Sequence, residues 1–436
     1  METQENNKKI HLVYDNWKGN RPKHNLEKFL GSGGFRDERY FFEFYERFFY
    51  EQLGYEKSLP CRRHRIEDVY KYPNRKFFYG LKTSLSLEEI FCVRTAKFSK
   101  QLIRCLQDCD NIKVIFIREH ESETLSDLSC ITKFLNSNKI AENKFIILSN
   151  NPKSEEYKKI LNSDIVIHKL NLLSLTSSSV FNELGSTFIA DKKGKFFICH
   201  NKSPKPHRIA TLSMMMANGL LDDSNWSMIT PLRTSDEDFK RYFDENDFNL
   251  YQNSVKLLLN SGPKYSDNEN SSMIDNNGDF KRDDFPHLEG AGGASGGLMI
   301  REEQETHHNS YVSVVTESMF DDVFETIHIT EKSLRPFYFY QLPIIVSGYN
   351  HIKYMEKEFG LDFYRDVIDH SYDEEPNQVL RLKKISDELV RIHKNKDSII
   401  RFYKENKNRF ENNKKIISNL PNNDSDYTFF KTLLSS

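Results

Sequence analysis

Two short charged motifs stand where predicted strands run into helices. The first, Lys205-Pro206-His207-Arg208, follows the apolar run FFIC at 196–199. Exposed N–H groups at a helix start attract anions, and the planar guanidinium of an arginine suits a phosphate. We therefore predict an anion-binding turn that contains Lys205 and Arg208. The competing interpretation is a solvated basic turn before an ordinary helix, which is a more common feature.

The second motif is Thr330-Glu331-Lys332, which ends the run IHIT at 327–330. A threonine at this position can cap a helix and leave backbone N–H groups facing outward. Beside them, Lys332 could hold a pyrophosphate and Glu331 could accept both hydroxyls of a ribose. The alternative is a capped helix with an exposed Glu–Lys pair, which is common.

Glu317 is a further candidate, at the end of the run YVSVVTE and 14 residues before Glu331. If the two residues follow adjacent parallel strands, their carboxylates meet at one edge of the sheet. A glutamate at the surface end of a strand is an equally good interpretation.

The remaining signals for chemistry are weak. Asp-x-Asp pairs begin at Asp108, Asp236 and Asp424, but chance pairs are expected among 64 acidic residues. The neighbours His307 and His308 have no placed metal partner, and the glycine turn at 31–34 lacks the lysine of a phosphate-binding loop. We predict no metal site and no cofactor.

Elements that position these residues follow from the hydrophobic pattern. The first half has predicted strands and helices in alternation, which is typical of a parallel α/β sheet. Its strands are expected at 10–14, 112–117, 144–148 and 164–168, and its helices at 37–54 and 153–162.

The second half repeats this alternation after residue 195. Strands are expected at 196–199, 311–316, 326–330 and 343–347, helices at 207–218 and 331–341, and helical structure from 377 to 418. The polar, glycine-rich stretch 261–300 is predicted to be a loop.

Composition limits the class of protein. The 436 residues carry a net charge of -2, which argues against a general nucleic-acid binder. Aromatic residues make up 13%, so most of the chain should fold. No apolar run is long enough to span a membrane, the polar N-terminus is unlike a secretory signal, and the six cysteines form no disulfide scaffold. A cytoplasmic protein is therefore expected.

The stretch Ser310–Gly348, SYVSVVTESMFDDVFETIHITEKSLRPFYFYQLPIIVSG, resembles the donor-binding half of GT-B glycosyltransferases. It is similar to the α-1,3-fucosyltransferases, in which a strand and Thr-Glu-Lys precede a helix and an apolar strand that ends in glycine. It is more similar still to viral and bacteriophage proteins thought to be glycosyltransferases. Those also carry a turn like the one at Lys205 and a Tyr-Asp pair like Tyr372-Asp373. The resemblance covers about 175 residues of the C-terminal half.

The resemblance implies a GT-B-like fold of two Rossmann-like domains that face a cleft. We expect an acceptor-binding domain over 1–190, a nucleotide-sugar-binding domain over 191–400 with the 261–300 insertion, and a helical tail over 401–436. In the nucleotide-sugar-binding domain, Arg208 and Lys332 would hold the donor diphosphate and Glu331 would bind the ribose or the sugar. Glu317 would line the cleft. Pro336 inside the helix departs from the family pattern and would kink or shorten that helix.

The implied reaction moves a sugar from a nucleotide-diphosphate donor, the co-substrate, to an acceptor hydroxyl on a glycan, a protein or another molecule. It would be metal-independent and inverting, and inversion requires a carboxylate base. Asp15, Glu119 and Glu121 follow predicted strands and are the candidates. Two alternatives stay open: a non-catalytic α/β module with a degenerate transferase fold, and an enzyme that glycosylates nucleic-acid bases.

Overall fold

The structure is a computed structural model of the chain, and its described part consists of thirteen segments. These are residues 10–14, 61–83, 98–118, 125–149, 151, 153–169, 186–190, 193–201, 205–228, 240–260, 264–265, 301–320 and 327–420. The described residues up to Lys169 form one compact unit, and those from Ser186 to Leu420 form a second.

The first unit contains a six-stranded sheet in which every pair of neighbours is parallel, in the order β2-β1-β3-β4-β5-β6. The strands are β1 Ile10–Tyr14, β2 Cys61–Arg65, β3 Phe77–Thr83, β4 Ile112–Arg118, β5 Phe145–Ser149 and β6 Val166–Lys169.

Helices of the first unit cover apolar side chains of this sheet. They are α1 Asp68–Lys71, α2 Lys100–Asp108, α3 Leu125–Ser137 and α4 Ser154–Ile160. Leu102 and Leu106 of α2 are fully buried, as are Val114 and Phe116 of β4, and they belong to one hydrophobic cluster. Such burial is worth roughly 2–3 kcal/mol for each side chain of this size.

The second unit has a five-stranded sheet in the order β11-β10-β7-β8-β9, parallel except for the short strand β9. The strands are β7 Lys195–Asn201, β8 Ser224–Met228, β9 Lys264–Tyr265, β10 Ser310–Thr316 and β11 Leu342–Val346. All residues of β10 and β11 are buried, which accounts for their continuous apolar runs.

Helices follow the strands of the second unit and continue to its end. They are α5 Pro206–Ala217, α6 Glu245–Asn260, α7 Arg301–His308, α8 Glu331–Tyr338, α9 His351–Phe359, α10 Gln378–Lys394, α11 Lys396–Glu405 and α12 Lys407–Asn419. Pro206 occupies the first turn of α5, and Gly219 just after it has the positive φ of 69° that favours glycine. The predicted ends of this helix are therefore confirmed within one residue.

The α/β class with parallel sheets is confirmed, but one predicted strand is wrong and several strands were missed. The strand predicted at 326–330 does not form over its described residues 327–330, because the Thr330 N–H and hydroxyl bond to the Glu317 carboxylate and Thr330 caps α8. The strand β2 was missed because it is an edge strand of charged residues, CRRHR. The strand β3 was missed because Gly80 and Lys82 interrupt its apolar pattern.

The C-terminal helices do not form a separate tail where the structure describes them. Helix α12 packs on α8, and the described chain to Leu420 belongs to the second unit. Pro336 lies inside α8, which ends at Tyr338 rather than at the expected residue 341. The helix predicted at 37–54 and most of 261–300 lie outside the described residues.

Within the described ranges, no helix combines the length and the apolar character that a membrane span requires.

Candidate functional site

The topology of the second unit defines one edge where a ligand would bind. The chain leaves β7 toward β8 on one side and leaves β10 toward β11 on the other. The neighbours β7 and β10 are therefore the point where the strand order reverses, and ligands of parallel α/β sheets bind beside the carboxyl ends of such strands. The sequence-predicted residues after both strands lie at this edge.

Hydrogen bonds join the chain after β7 to the chain after β10. Lys205 Nζ donates to the main-chain oxygen of Ser318 at 2.6 Å. The main-chain oxygen of Glu317 accepts from His207 Nε2 at 2.8 Å and from Arg208 Nη2 at 3.3 Å. The first turn of α5 is thus held against the end of β10, although the paired residues are more than 100 positions apart in sequence.

Glu317 itself is fully buried, and its carboxylate accepts four hydrogen bonds. Oε1 accepts from the Thr330 main-chain N–H at 3.0 Å and from Ser333 Oγ at 2.5 Å. Oε2 accepts from Thr330 Oγ1 at 2.7 Å and from the main-chain N–H of Ser318 at 3.1 Å. The carboxylate therefore connects the end of β10 to the first turn of α8.

The charge of Glu317 is stabilised in spite of its burial. Burial by itself would raise its pKa, but Lys332, two histidines and the Ser333 hydroxyl outweigh that effect and lower the pKa to about 2. Such a group is ionised at neutral pH and cannot donate a proton to a substrate. Its observed contacts are with protein groups, so its predicted role as a cleft-lining residue stays a prediction.

Thr330, Glu331 and Lys332 form a capped turn at the start of α8. The Thr330 side chain accepts from the main-chain N–H of Lys332, which confirms the predicted cap. Lys332 Nζ lies 3.1 Å from Glu331 Oε1, and both side chains are 30% exposed. Burial opposes ionisation of Glu331, yet Lys332 and Arg335 lower its pKa. The turn presents a cation and an anion that solvent can reach.

The two lysines predicted to bind the donor, Lys205 and Lys332, both affect the same buried histidine, His328. Burial lowers the pKa of His328 to about 4; Glu317 opposes this shift, and the positive charges of Lys332 and Lys205 add to it. One imidazole therefore experiences both lysines, which the sequence separates by 127 residues. The edge at β7 and β10 brings them together.

Arg208 is less accessible than its sequence motif suggests. Its side chain is only 4% exposed, and burial lowers its pKa, with Glu317 opposing the shift. Its neighbour His207 is also buried, stacks on Phe320, and has a pKa lowered to about 3 by burial and by Arg208. In the observed conformation Lys205 and Lys332 are the better placed cations for a ligand at this edge.

The candidate bases Asp15, Glu119 and Glu121 lie outside the described residues. The strands that precede them are confirmed as β1, which ends at Tyr14, and β4, which ends at Arg118. The order of the first sheet reverses between β1 and β3, so Asp15 follows a strand at a reversal point. The roles of these residues stay predictions.

The one Asp-x-Asp pair within the described residues lies at the opposite end of its sheet. Asp108 ends α2, and Asp110 precedes β4 and pairs with Lys144 at 3.4 Å. His307, which precedes β10, donates from Nδ1 to Gln341 Oε1 at 3.0 Å and stacks on Phe339. Across the described segments, no group of three or more His, Cys, Asp or Glu residues has metal-binding geometry.

Three residues of this edge were missed at the sequence level. Ser333 and His351 lie in the first turns of α8 and α9, and Ser347 follows β11. Polar residues after a strand are a usable signal, and it would have found Ser347. Burial of Ser333 and His351 has no local signal, because it depends on the packing of two helices.

Asp373 of the Tyr372-Asp373 pair has a clear structural role. Its two carboxylate oxygens accept from the main-chain N–H groups of Ile352 at 2.9 Å and Lys353 at 3.0 Å. Burial raises its pKa to about 6. It thereby satisfies the first turn of α9, which begins just after β11.

Solved structures that are similar to this chain include two enzymes. One is the DNA-modifying enzyme β-glucosyltransferase, solved with and without its substrate uridine diphosphoglucose, at 9% identity and a TM-score of 0.31, with 94% of this chain and 99% of that chain covered. The other is the α,α-trehalose 6-phosphate synthase from Burkholderia multivorans, at 9% identity and a TM-score of 0.38, with 98% and 96% covered. No protein-family model and no curated protein matches the sequence.

Proposed function

We propose that the protein is a glycosyltransferase that moves a sugar from a nucleotide-diphosphate donor to an acceptor hydroxyl. The observation that supports this proposal is the convergence of Lys205, Glu317 and the Thr330–Lys332 turn at the strand-order reversal of a parallel sheet. The sequence resemblance to GT-B donor-binding domains also implies donor-binding roles for Glu317, Glu331 and Lys332, together with Arg208.

A diphosphate leaving group suits the charges at this edge. Negative charge develops on the diphosphate as the sugar departs, and preorganised cations and N–H groups stabilise that charge. Lys332 is 30% exposed at the start of α8, and Lys205 stands one residue before α5. With two cations and two helix starts available, we propose that the transfer requires no metal ion.

We propose that the reaction inverts the anomeric centre, with Asp15 or Glu119 as the base that takes the proton of the acceptor hydroxyl. Both follow strands of the first unit, β1 and β4. Asp15→Asn and Glu119→Gln variants test the assignment by single-turnover rates. Loss of turnover with donor affinity retained supports a base, and full turnover in both variants removes them.

The experiment that tests the donor site is calorimetry of the full chain against nucleoside diphosphates and nucleotide sugars, with and without EDTA. We expect one nucleotide to bind selectively, with no effect of EDTA. Lys332→Ala should weaken binding by about tenfold or more, since a charge-assisted hydrogen bond is worth about 1.5–3 kcal/mol.

Lys383→Ala is the matched control, because Lys383 is 47% exposed in α10 and pairs with Asp247. It should bind the nucleotide like the unmodified chain. Equal losses in both lysine variants would indicate a general charge effect, and no binding to any nucleotide would contradict the proposal. A chain that binds the nucleotide but neither hydrolyses nor transfers the sugar would instead be a non-catalytic module.

A further inference from the structure

A chain of four buried polar groups runs beside the Thr330–Lys332 turn, and the donor assignment uses only one of them, Glu317. Ser347 Oγ lies 2.9 Å from His351 Nδ1, and His351 Nε2 lies 3.0 Å from Ser333 Oγ. Ser333 Oγ in turn lies 2.5 Å from Glu317 Oε1. The exposed fractions of the four side chains are 4% or less. The chain links the ends of β10 and β11 to the first turns of α8 and α9.

The direction of each hydrogen bond follows from the carboxylate end. Each oxygen of Glu317 already accepts from a main-chain N–H, which fits an ionised carboxylate. Ser333 has a single O–H, and it must donate to Glu317 because the carboxylate has no proton to give. Ser333 can then only accept from His351, so Nε2 of His351 carries the proton. Burial lowers the pKa of His351 to about 4, with Glu317 opposing the shift, so the ring is neutral and its Nδ1 carries no proton. Ser347 Oγ lies 3.4 Å from the main-chain oxygen of Met319 but 2.9 Å from Nδ1, so its O–H is assigned to the shorter bond and Nδ1 accepts it.

This arrangement has the order of a nucleophile, a base and an acid, but it cannot act in that way. Ser347 is 4% exposed and His351 is 1% exposed, so a substrate has no route to either group in this conformation. Its position indicates a different role. Ser333 directly follows Lys332, and its hydroxyl connects the first turn of α8 to Glu317 on one side and to α9 on the other.

We propose that His351, as the neutral Nε2–H tautomer, is a positioning residue of the donor site: it orients Ser333 and thereby holds the Thr330–Lys332 turn in its binding geometry. This inference rests on the proposed nucleotide-binding function of that turn. Without the imidazole N–H, the start of α8 keeps its bonds to Glu317 but loses this hydrogen bond to α9. The turn then has more freedom before a ligand binds, and ordering it weakens the affinity.

The test compares three variants of the full chain by calorimetry with the nucleotide that binds the unmodified protein most tightly. His351→Leu removes the N–H and should raise Kd by about tenfold, the equivalent of one buried hydrogen bond. His351→Gln retains an N–H at a similar reach and should bind within about threefold of the unmodified chain. His307→Leu is the control, because His307 is also buried but precedes β10 at the opposite end of the strand. It should leave Kd unchanged.

NMR of the ¹⁵N-histidine-labelled protein tests the tautomer directly and does not depend on any ligand. We expect the His351 signal, identified by its loss in His351→Gln, to show a protonated Nε2 and an unprotonated Nδ1. The opposite tautomer or a doubly protonated ring would overturn the inference, even if His351→Leu fails to fold. A nucleotide that binds His351→Leu and the unmodified chain equally would also overturn it while the proposed function stands. If no nucleotide binds the unmodified chain, the proposed function fails first and the positioning role fails with it.

Discussion

Glutamine in place of Glu317 removes one negative charge from the centre of the candidate site. The amide of the glutamine also presents an NH₂ group to one of two main-chain N–H donors, Thr330 or Ser318, whichever way it is oriented. The hydroxyl groups of Thr330 and Ser333 can rotate to accept a hydrogen bond from the amide, but a main-chain N–H can only donate. The variant therefore leaves one buried donor without an acceptor and removes the charge that Lys332 stabilises.

The size of the effect follows from the pKa of the carboxyl group, which is lowered from 4.5 to about 2. A tenfold change in an equilibrium constant is worth about 1.4 kcal/mol, so ionised Glu317 stabilises the folded second unit by about 3 kcal/mol at pH 7. The folded pKa lies below the unfolded one, so this stability is present above the unfolded pKa and is lost as pH falls through the folded pKa. About 1 kcal/mol of this stabilisation by Glu317 should remain at pH 3.

Urea unfolding followed by tryptophan fluorescence measures this difference. The chain has two tryptophans, Trp17 and Trp226, and a Trp17→Phe background leaves Trp226 in β8 as the reporter of the second unit. Glu317→Gln should lower the free energy of unfolding by about 3 kcal/mol at pH 7, and the difference should narrow between pH 5 and pH 3. Glu405→Gln, at an exposed position at the end of α11, should change little. Equal stability of Glu317→Gln and the unmodified chain at pH 7, or a difference that stays constant down to pH 3, would refute the reasoning.

Three further predictions concern the second unit. Asn377 caps α10 by accepting from two main-chain N–H groups, so Asn377→Ala should cost about 1 kcal/mol in urea unfolding, and Asn377→Ser should restore most of it. Arg409 binds both Asp362 and Asp366, so Arg409→Lys, which cannot form both pairs, should lower Tm by a few degrees at low salt and by less at high salt. Burial lowers the folded pKa of four histidines to between about 3 and 4, so they stay neutral while the unfolded chain binds protons. Their neutral state therefore costs no stability above the unfolded pKa, and the free energy of unfolding should decrease as pH falls from there toward 4. Urea unfolding at a series of pH values measures this decrease. The four residues are His207, His328, His351 and His370.

The elements of the second unit that could be predicted are those with local signals. Apolar runs predicted β7, β10 and β11 to within a residue or two, and Pro206 with Gly219 marked the ends of α5. The cap at Thr330 follows from residue types two positions apart. The run IHIT misled the prediction, because its apolar pattern fits a strand, whereas in the fold Thr330 bonds to the Glu317 carboxylate rather than to a neighbouring strand.

The chemistry of the site was only partly readable. Residue types and their place after strands identified Lys205, Glu317 and Lys332, which the structure brings to one edge. The sequence by itself therefore determined the α/β class, most strand positions in the second unit and the candidate anion-binding turns. These depend on periodicity and capping over a few residues.

Tertiary structure alone decided which of these side chains face solvent and which face the interior. Arg208 is buried against an oxygen 109 residues away, whereas Lys332 stays 30% exposed. Glu317 points inward and organises the start of α8, and Ser333 and His351 join it because α8 and α9 begin side by side. No local pattern contains this information, because the burial and the hydrogen-bond partners of a side chain are set by segments that meet only when the sheet has formed.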